Sequence, residues 1–98
     1  MVHTIHLICK DDQHLERRPD GVFRTGVWLV SLEAATQALR VALHRSRAAP
    51  SFLQGRRLKS EAALVDGKRR FTFVVQAEGE PEPWPPGGGS GEKAYSPT

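Results

Sequence analysis

The first patterned stretch, VHTIHLIC over residues 2–9, is apolar on both of its alternating faces. His3, Ile5, Leu7 and Cys9 lie on one face and Val2, Thr4, His6 and Ile8 on the other, which predicts a strand in the interior of a sheet. The polar run KDDQHLERRPDG follows and closes on Pro19-Asp20-Gly21, a loop and turn signal. Residues 22–30, VFRTGVWLV, return to strand composition. Gly26 within them marks a bulge or a close backbone approach.

Ser31 opens SLEAATQALRVAL. Serine is a favoured N-cap because its hydroxyl accepts from the free N–H groups of the first turn, and Glu33 complements the helix dipole. Leu32, Ala35, Leu39, Ala42 and Leu43 recur at helical spacing, with Glu33, Gln37 and Arg40 outside. Periodicity alone carries this helix to about Arg47. A helix ending near Arg40 would instead free residues 41–46 for another strand, and a sheet of four or five strands gives a short chain more core. The expectation on that ground is a strand at 41–46.

After Pro50, SFLQGRRLKSEAALVDGKRRFTFVVQA reads as a hairpin turning at Asp66-Gly67, because a type I′ turn needs positive φ at both central residues. Arg70, Thr72, Val74 and Gln76 alternate with Phe71, Phe73, Val75 and Ala77 in its second arm. The first arm, 58–65, is weaker in β preference at Ala62-Ala63. From Glu78 the chain is EGEPEPWPPGGGSGEKAYSPT, too poor in apolar residues to order itself. The expected fold is α+β: a small mixed or antiparallel curved sheet with one main helix and a C-terminal hairpin. Residues 1–77 form a single domain and 78–98 an irregular acidic tail rich in Pro and Gly.

Charge sharpens this division. Residues 1–77 carry 13 Lys+Arg against 7 Asp+Glu, or +6, and residues 78–98 carry 1 against 4, or −3. Ten of the 14 cations are arginine, whose planar fork suits phosphate and carboxylate. Such a body is compatible with nucleic acid, an acidic protein or an anionic membrane. A core of 77 residues is small enough that a homodimer, or the tail packing back, would help to stabilise it. Trp84 is a large aromatic in an otherwise disorder-like segment, and reads as a hook bringing Glu78, Glu80 and Glu82 over the arginines. Cys9 is the single cysteine and reads as a core residue. The N-terminus lacks the pattern of a signal peptide and no stretch suits a membrane span, so the expected location is cytoplasmic, without membrane contact.

Motifs for chemistry are sparse. GGGSGEK at 87–93 fails as a phosphate loop, since Glu92 separates the last glycine from Lys93, and reads as a linker. His3 and His6 point to opposite faces of a strand, and His14 has no second ligand at fixed spacing, so no metal site is expected. Ser46 and Ser51 flank basic residues without a nucleophile elbow, and the chain is too short for a hydrolase sheet. No catalytic residue and no cofactor is expected. The basic clusters Arg45/Arg47, Arg56/Arg57/Lys59 and Lys68/Arg69/Arg70 would form a phosphate-sized patch if the sheet gathered the last two at one end.

The segment VALHRSRAAPSFLQGRRL resembles the PUA-like superfamily, including EVE and ASCH domains. In EVE-like members an apolar strand ending in Tyr-His-Ser leads into a loop with proline and glycine. Val41-Ala42-Leu43-His44-Arg45-Ser46, then Pro50 and Gly55, follow that order, and Trp28 ahead of a helix is compatible with it. The likeness spans residues 26–55, a segment that also looks like small uncharacterised bacterial or phage proteins. It departs where Ala38-Leu39-Arg40 replaces a glycine between helix and strand. It implies a small barrel-like sheet that binds RNA or modified DNA bases. His44 and Ser46 would then line a pocket mouth, with Trp28 or Phe52 offering a stacking face.

These readings converge on a nucleic-acid-binding module, RNA or DNA, without chemistry of its own. Its expected contact residues are Trp28, His44, Arg45, Ser46, Arg47, Ser51, Phe52, Arg56, Arg57, Lys59, Lys68, Arg69 and Arg70. The alternatives are a RelE/ParE-like ribonuclease toxin, which calls for two helices after the first strand, and a phage-type inhibitor or adaptor that binds an acidic protein.

Overall fold

In the computed structural model, which describes residues 2–87 and 91–97, strands take up 53% of the described residues and helix only 6%. The strands are β1 (Thr4–Ile8), β2 (Leu15–Arg17), β3 (Val22–Trp28), β4 (Arg40–His44), β5 (Ser51–Val65), β6 (Lys68–Ala77) and β7 (Lys93–Ser96). One helix, α1 (Leu32–Gln37), lies between β3 and β4. All seven strands join one mixed sheet in the order β2-β3-β6-β5-β4-β1-β7. The expectation of an α+β domain with one main helix is therefore overturned, as is that of a wholly irregular tail.

The helix is short because the sheet takes its last carbonyls. Ser31 caps its start as expected, its Oγ accepting from the N–H of Ala34 at 3.1 Å. At the other end Ser60 Oγ donates to Ala35 O at 2.6 Å, and the Arg57 guanidinium donates to Thr36 O and Ala38 O at 3.0 and 2.6 Å. Leu39 and Arg40 then turn their N–H groups to His3 O. With those groups satisfied by β5 and β1, the chain leaves the helix at Ala38 and enters β4. Val41 and Leu43, two positions apart and so on different sides of a helix, are thereby both fully buried on one face of the sheet.

β1 runs parallel to β4 and antiparallel to β7, so it is an interior strand, buried at every position. Leu15–Arg17, expected as loop, pairs instead with β3. The hairpin turns at Asp66 and Gly67, both at positive φ, but its first arm reaches back from 58 to Ser51. Gly26 sits at the register shift of β3, where a Cβ would come within 2.3 Å of Thr72 Oγ1. Its reading as a close approach holds.

The sheet has two unlike faces. Ile5, Leu7, Val41, Leu43, Phe71, Phe73 and Val75 build the core on one, closed by Phe23 and by the alanines of α1. Thr4, His6, Ala42 and His44 occupy the other face of β1 and β4. Residues 78–87 cross that second face, tied down where Ser51 N–H donates to Glu82 O and Glu82 N–H donates to Ser51 Oγ, both at 2.8 Å. Arg40 holds Glu82 at 2.9 Å. Among the described residues no helix is long and apolar enough to cross a membrane.

Candidate functional site

Two places in the molecule gather chemistry. The first lies where the chain leaves β1 and β3, beside the β4–β5 loop. A cleft of about 240 Å³ opens there, lined by Cys9, Lys10, His14, Trp28 and Glu92 among others. Trp28 is half-buried, and its indole N–H donates to Thr25 Oγ1 at 3.0 Å, which fixes the ring. His14 and Asp12 shape the loop wall at positive φ, a region Asp and His adopt more readily than most residues. A second cleft of about 290 Å³ adjoins the first, lined by Ser46, Arg47 and Gly91; Ile8, Lys10 and Glu92 line both.

The β4–β5 loop supplies the cations of this end. Arg45 reaches across to Asp12 at 2.5 Å and to the carbonyls of Cys9 and Lys10 at 3.2 Å. The guanidinium beside it holds the Asp12 carboxyl below the usual carboxylate range. Arg45 also lies over the Phe52 ring, 3.7 Å from its centroid. The guanidinium occupies that face of the ring, one of the faces expected to stack a base. Arg47 donates to Gly91 O at 3.1 Å and remains exposed. Burial pushes the Cys9 thiol up, which keeps it protonated and a poor metal ligand.

The other basic residues are divided by the pleat. By register, Arg24, Arg56, Lys59, Lys68 and Arg70 share one face of β3, β5 and β6 with Val74 and Gln76. Arg57 and Arg69 fall on the opposite face, and Arg57 is spent on the helix end, where burial pulls its pKa down. Three of the five cations on the first face are compensated: Arg24 and Lys59 pair with Glu61, and Arg56 lies 3.8 Å from Glu78. The Arg56/Arg57/Lys59 and Lys68/Arg69/Arg70 clusters also stand apart along β5 and β6, Lys59 opposite Val74 and Lys68 opposite Val65. They do not gather at one end as expected, because a 15-residue strand separates its start from its tip.

The second place lies beneath residues 78–87. His44, expected at a pocket mouth, is fully buried, and its Nε2 is 2.9 Å from Nδ1 of His6. Its own Nδ1 is 3.0 Å from the carbonyl of Ala49, and Nε2 of His6 is 3.3 Å from Ser96 Oγ. Trp84 stands edge-on to both imidazoles, at ring-centroid distances of 6.0 Å and 5.2 Å. Burial first, then repulsion from His44, lowers the His6 pKa to about 4 against an opposing pull from Glu82. Ser51, also expected at a ligand surface, is buried and bonded to Gln54 and Glu82.

The sequence thus indicated Trp28, Ser46 and Arg47, and missed Lys10 and His14, which line the cleft because the chain passes from β1 to β2 and β2 pairs with β3. It missed the partnership of His6 with His44, 38 residues apart, although both alternate onto the same face once the two strands are parallel neighbours. Among the described residues no cluster of three or more His, Cys, Asp or Glu could hold a metal ion. Residues 88–90 of the glycine-rich run lie outside the described residues. Comparison with protein-family models, with curated proteins and with solved structures finds no match to this chain.

Proposed function

We propose that this chain binds single-stranded nucleic acid, RNA or DNA, at the open end of the sheet and performs no chemistry there. The observation that carries the reading is the adjacency of the two clefts, one walled by Trp28 and the other by Ser46 and Arg47, with Lys10 between them. An aromatic wall beside cations is the arrangement that receives one base and its neighbouring phosphates. A cleft of about 240 Å³ falls below the roughly 300–1,000 Å³ of pockets for drug-sized ligands, and suits a single planar ring. A base can enter only when unstacked, which favours single strands. Stacking supplies about 1–3 kcal/mol per base, and Asp11 and Glu92 can accept from exocyclic amino groups. The toxin alternative fits less well, since the single described helix has six residues where that likeness calls for two helices.

The test is an NMR titration of labelled full-length protein with short single-stranded and duplex oligonucleotides at two salt concentrations. Salt-sensitive shifts at Lys10, His14, Trp28, Ser46 and Arg47, stronger with single strands, are the expected result. Absence of shifts at low salt overturns the proposal and points to an acidic protein partner.

A further inference from the structure

The buried histidine pair has a direction. The carbonyl of Ala49 can only accept, so the Nδ1 of His44 that lies 3.0 Å from it carries a proton. A neutral His44 then has a bare Nε2, and the 2.9 Å contact requires Nδ1–H of His6 to donate to it. The Nε2 of neutral His6 is left as an acceptor, with Ser96 Oγ 3.3 Å away. The proton order is therefore Ser96 O–H to His6, His6 N–H to His44, and His44 N–H to Ala49 O. A hydroxyl, a base and a group orienting that base are the parts of an activated nucleophile, recognised by geometry and not by position in the chain.

Ser96 and His6 both line an open cleft of about 420 Å³ whose other walls are Glu82, Tyr95 and four prolines. The cleft is separate from the Trp28 end and shares no lining residue with it. Beside the pair, the indole N–H of Trp84 is buried without an acceptor.

We propose that Ser96 is a nucleophile activated by His6, with His44 as the positioning residue, and that the cleft takes small uncharged esters with an apolar acyl group. The proline and tyrosine walls suit such a group, and Glu82 at the rim disfavours an anionic one. As the Ser96 Oγ–C bond forms, its proton passes to Nε2 of His6. The bond from acyl carbon to alcohol oxygen breaks, and the departing oxygen takes that proton. Water then repeats the transfer through His6, releasing the acid and restoring Ser96. The groups facing His6 are His44 from β4, Ser96 from β7, and Glu82 and Trp84 from the crossing segment.

Two measurements on the full chain test this. Long-range ¹H–¹⁵N spectra at neutral pH read the imidazole tautomers of the wild type. The expected pattern is a proton on Nδ1 of both histidines and a bare Nε2 on His6, whereas a proton on Nε2 of His6 overturns the proposal. Labelling with an alkyl fluorophosphonate follows, in which Oγ–P forms, P–F breaks, fluoride leaves and His6 keeps the proton. Peptide mapping is expected to place a single adduct on Ser96, absent in Ser96→Ala and at least tenfold slower in His6→Gln. His44→Gln, whose amide oxygen can still accept from His6, should keep the tautomer and most of the rate, and His44→Leu should lose both. No adduct, an adduct elsewhere, or labelling of Ser96 at an unchanged rate in folded His6→Gln overturns the proposal. Should that variant fail to fold, the wild-type tautomers still decide.

Discussion

The Trp28 end and the His6–His44 pair lie on the same sheet and treat polar groups in opposite ways. At the open end the cations are exposed or lightly paired, and Lys10 and Arg47 face water beside an aromatic wall. Beneath residues 78–87 polar groups are held by one another, the Trp84 indole N–H aside: His44 by His6 and Ala49, Ser51 by Gln54 and Glu82, and Glu82 by Arg40. Charge left in water keeps its affinity for anions and contributes little to stability. Polar groups taken out of water must be satisfied internally, and so they fix one arrangement of the chain. The first region leaves its polar groups to water, and the second pairs most of them within the chain.

Substitutions should separate the two regions. The largest effect is expected on the strand that connects them. Gly55 pairs with both Val41 and Ala77, and a Cβ there would meet the backbone oxygen of Gln76 at 1.9 Å. Gly55→Val should cost about 3 kcal/mol or more in urea unfolding, because backbone cannot yield as a flexible side chain can.

Acid comes next. His6 titrates near its ordinary value in the unfolded chain and at about 4 in the folded one, so the unfolded chain binds more protons between those values. Stability is complete above the unfolded value and falls as pH drops toward 4, by up to about 3 kcal/mol. Urea unfolding of the wild type and of His6→Leu across pH 4 to 7 checks this. The leucine variant should lose the part of the slope that belongs to His6, and an identical slope would show that the pair does not govern it.

Trp84→Ala should cost about 2 kcal/mol, less than a fully buried aromatic, because Trp84 is half-buried. Oligonucleotide affinity should stay within twofold, since Trp84 touches neither cleft of the open end. The smallest stability change belongs to Lys10→Ala and Arg47→Ala, each within about 0.5 kcal/mol. Each should nevertheless lower the slope of log affinity against log salt by about 0.7 for a single strand. Affinity lost by Trp84→Ala and kept by the other two would reverse the assignment of the regions.

Much of the local structure was legible from residue order. The alternation in β1 and β6, the Asp66-Gly67 turn and the Ser31 cap are all decided by neighbours within a few positions, whereas Gly26 announces a close approach whose partner, Thr72, only the sheet supplies. Among the proposed contact residues, Trp28, Ser46 and Arg47 were legible as an aromatic in an apolar strand and a basic loop. The long helix was not ruled out locally, because Ala42 and Leu43 satisfy a helical period with Leu32, Ala35 and Leu39 as well as they satisfy β4. The tail was judged by its composition, which hides the fact that four of its residues need only an unpaired edge of β1 to become β7.

Residue order thus determined where the chain can turn, which strands have two apolar faces, and the excess of arginine over the first 77 residues. Tertiary structure decided where α1 stops, since Arg57 and Ser60 reach it from β5, 19 to 25 positions along. It also decided which face each cation occupies and that His6, His44 and Ser96 meet. Those outcomes depend on strand register, and register is set by pairing between segments far apart in sequence, where a shift of one residue turns every side chain to the other face.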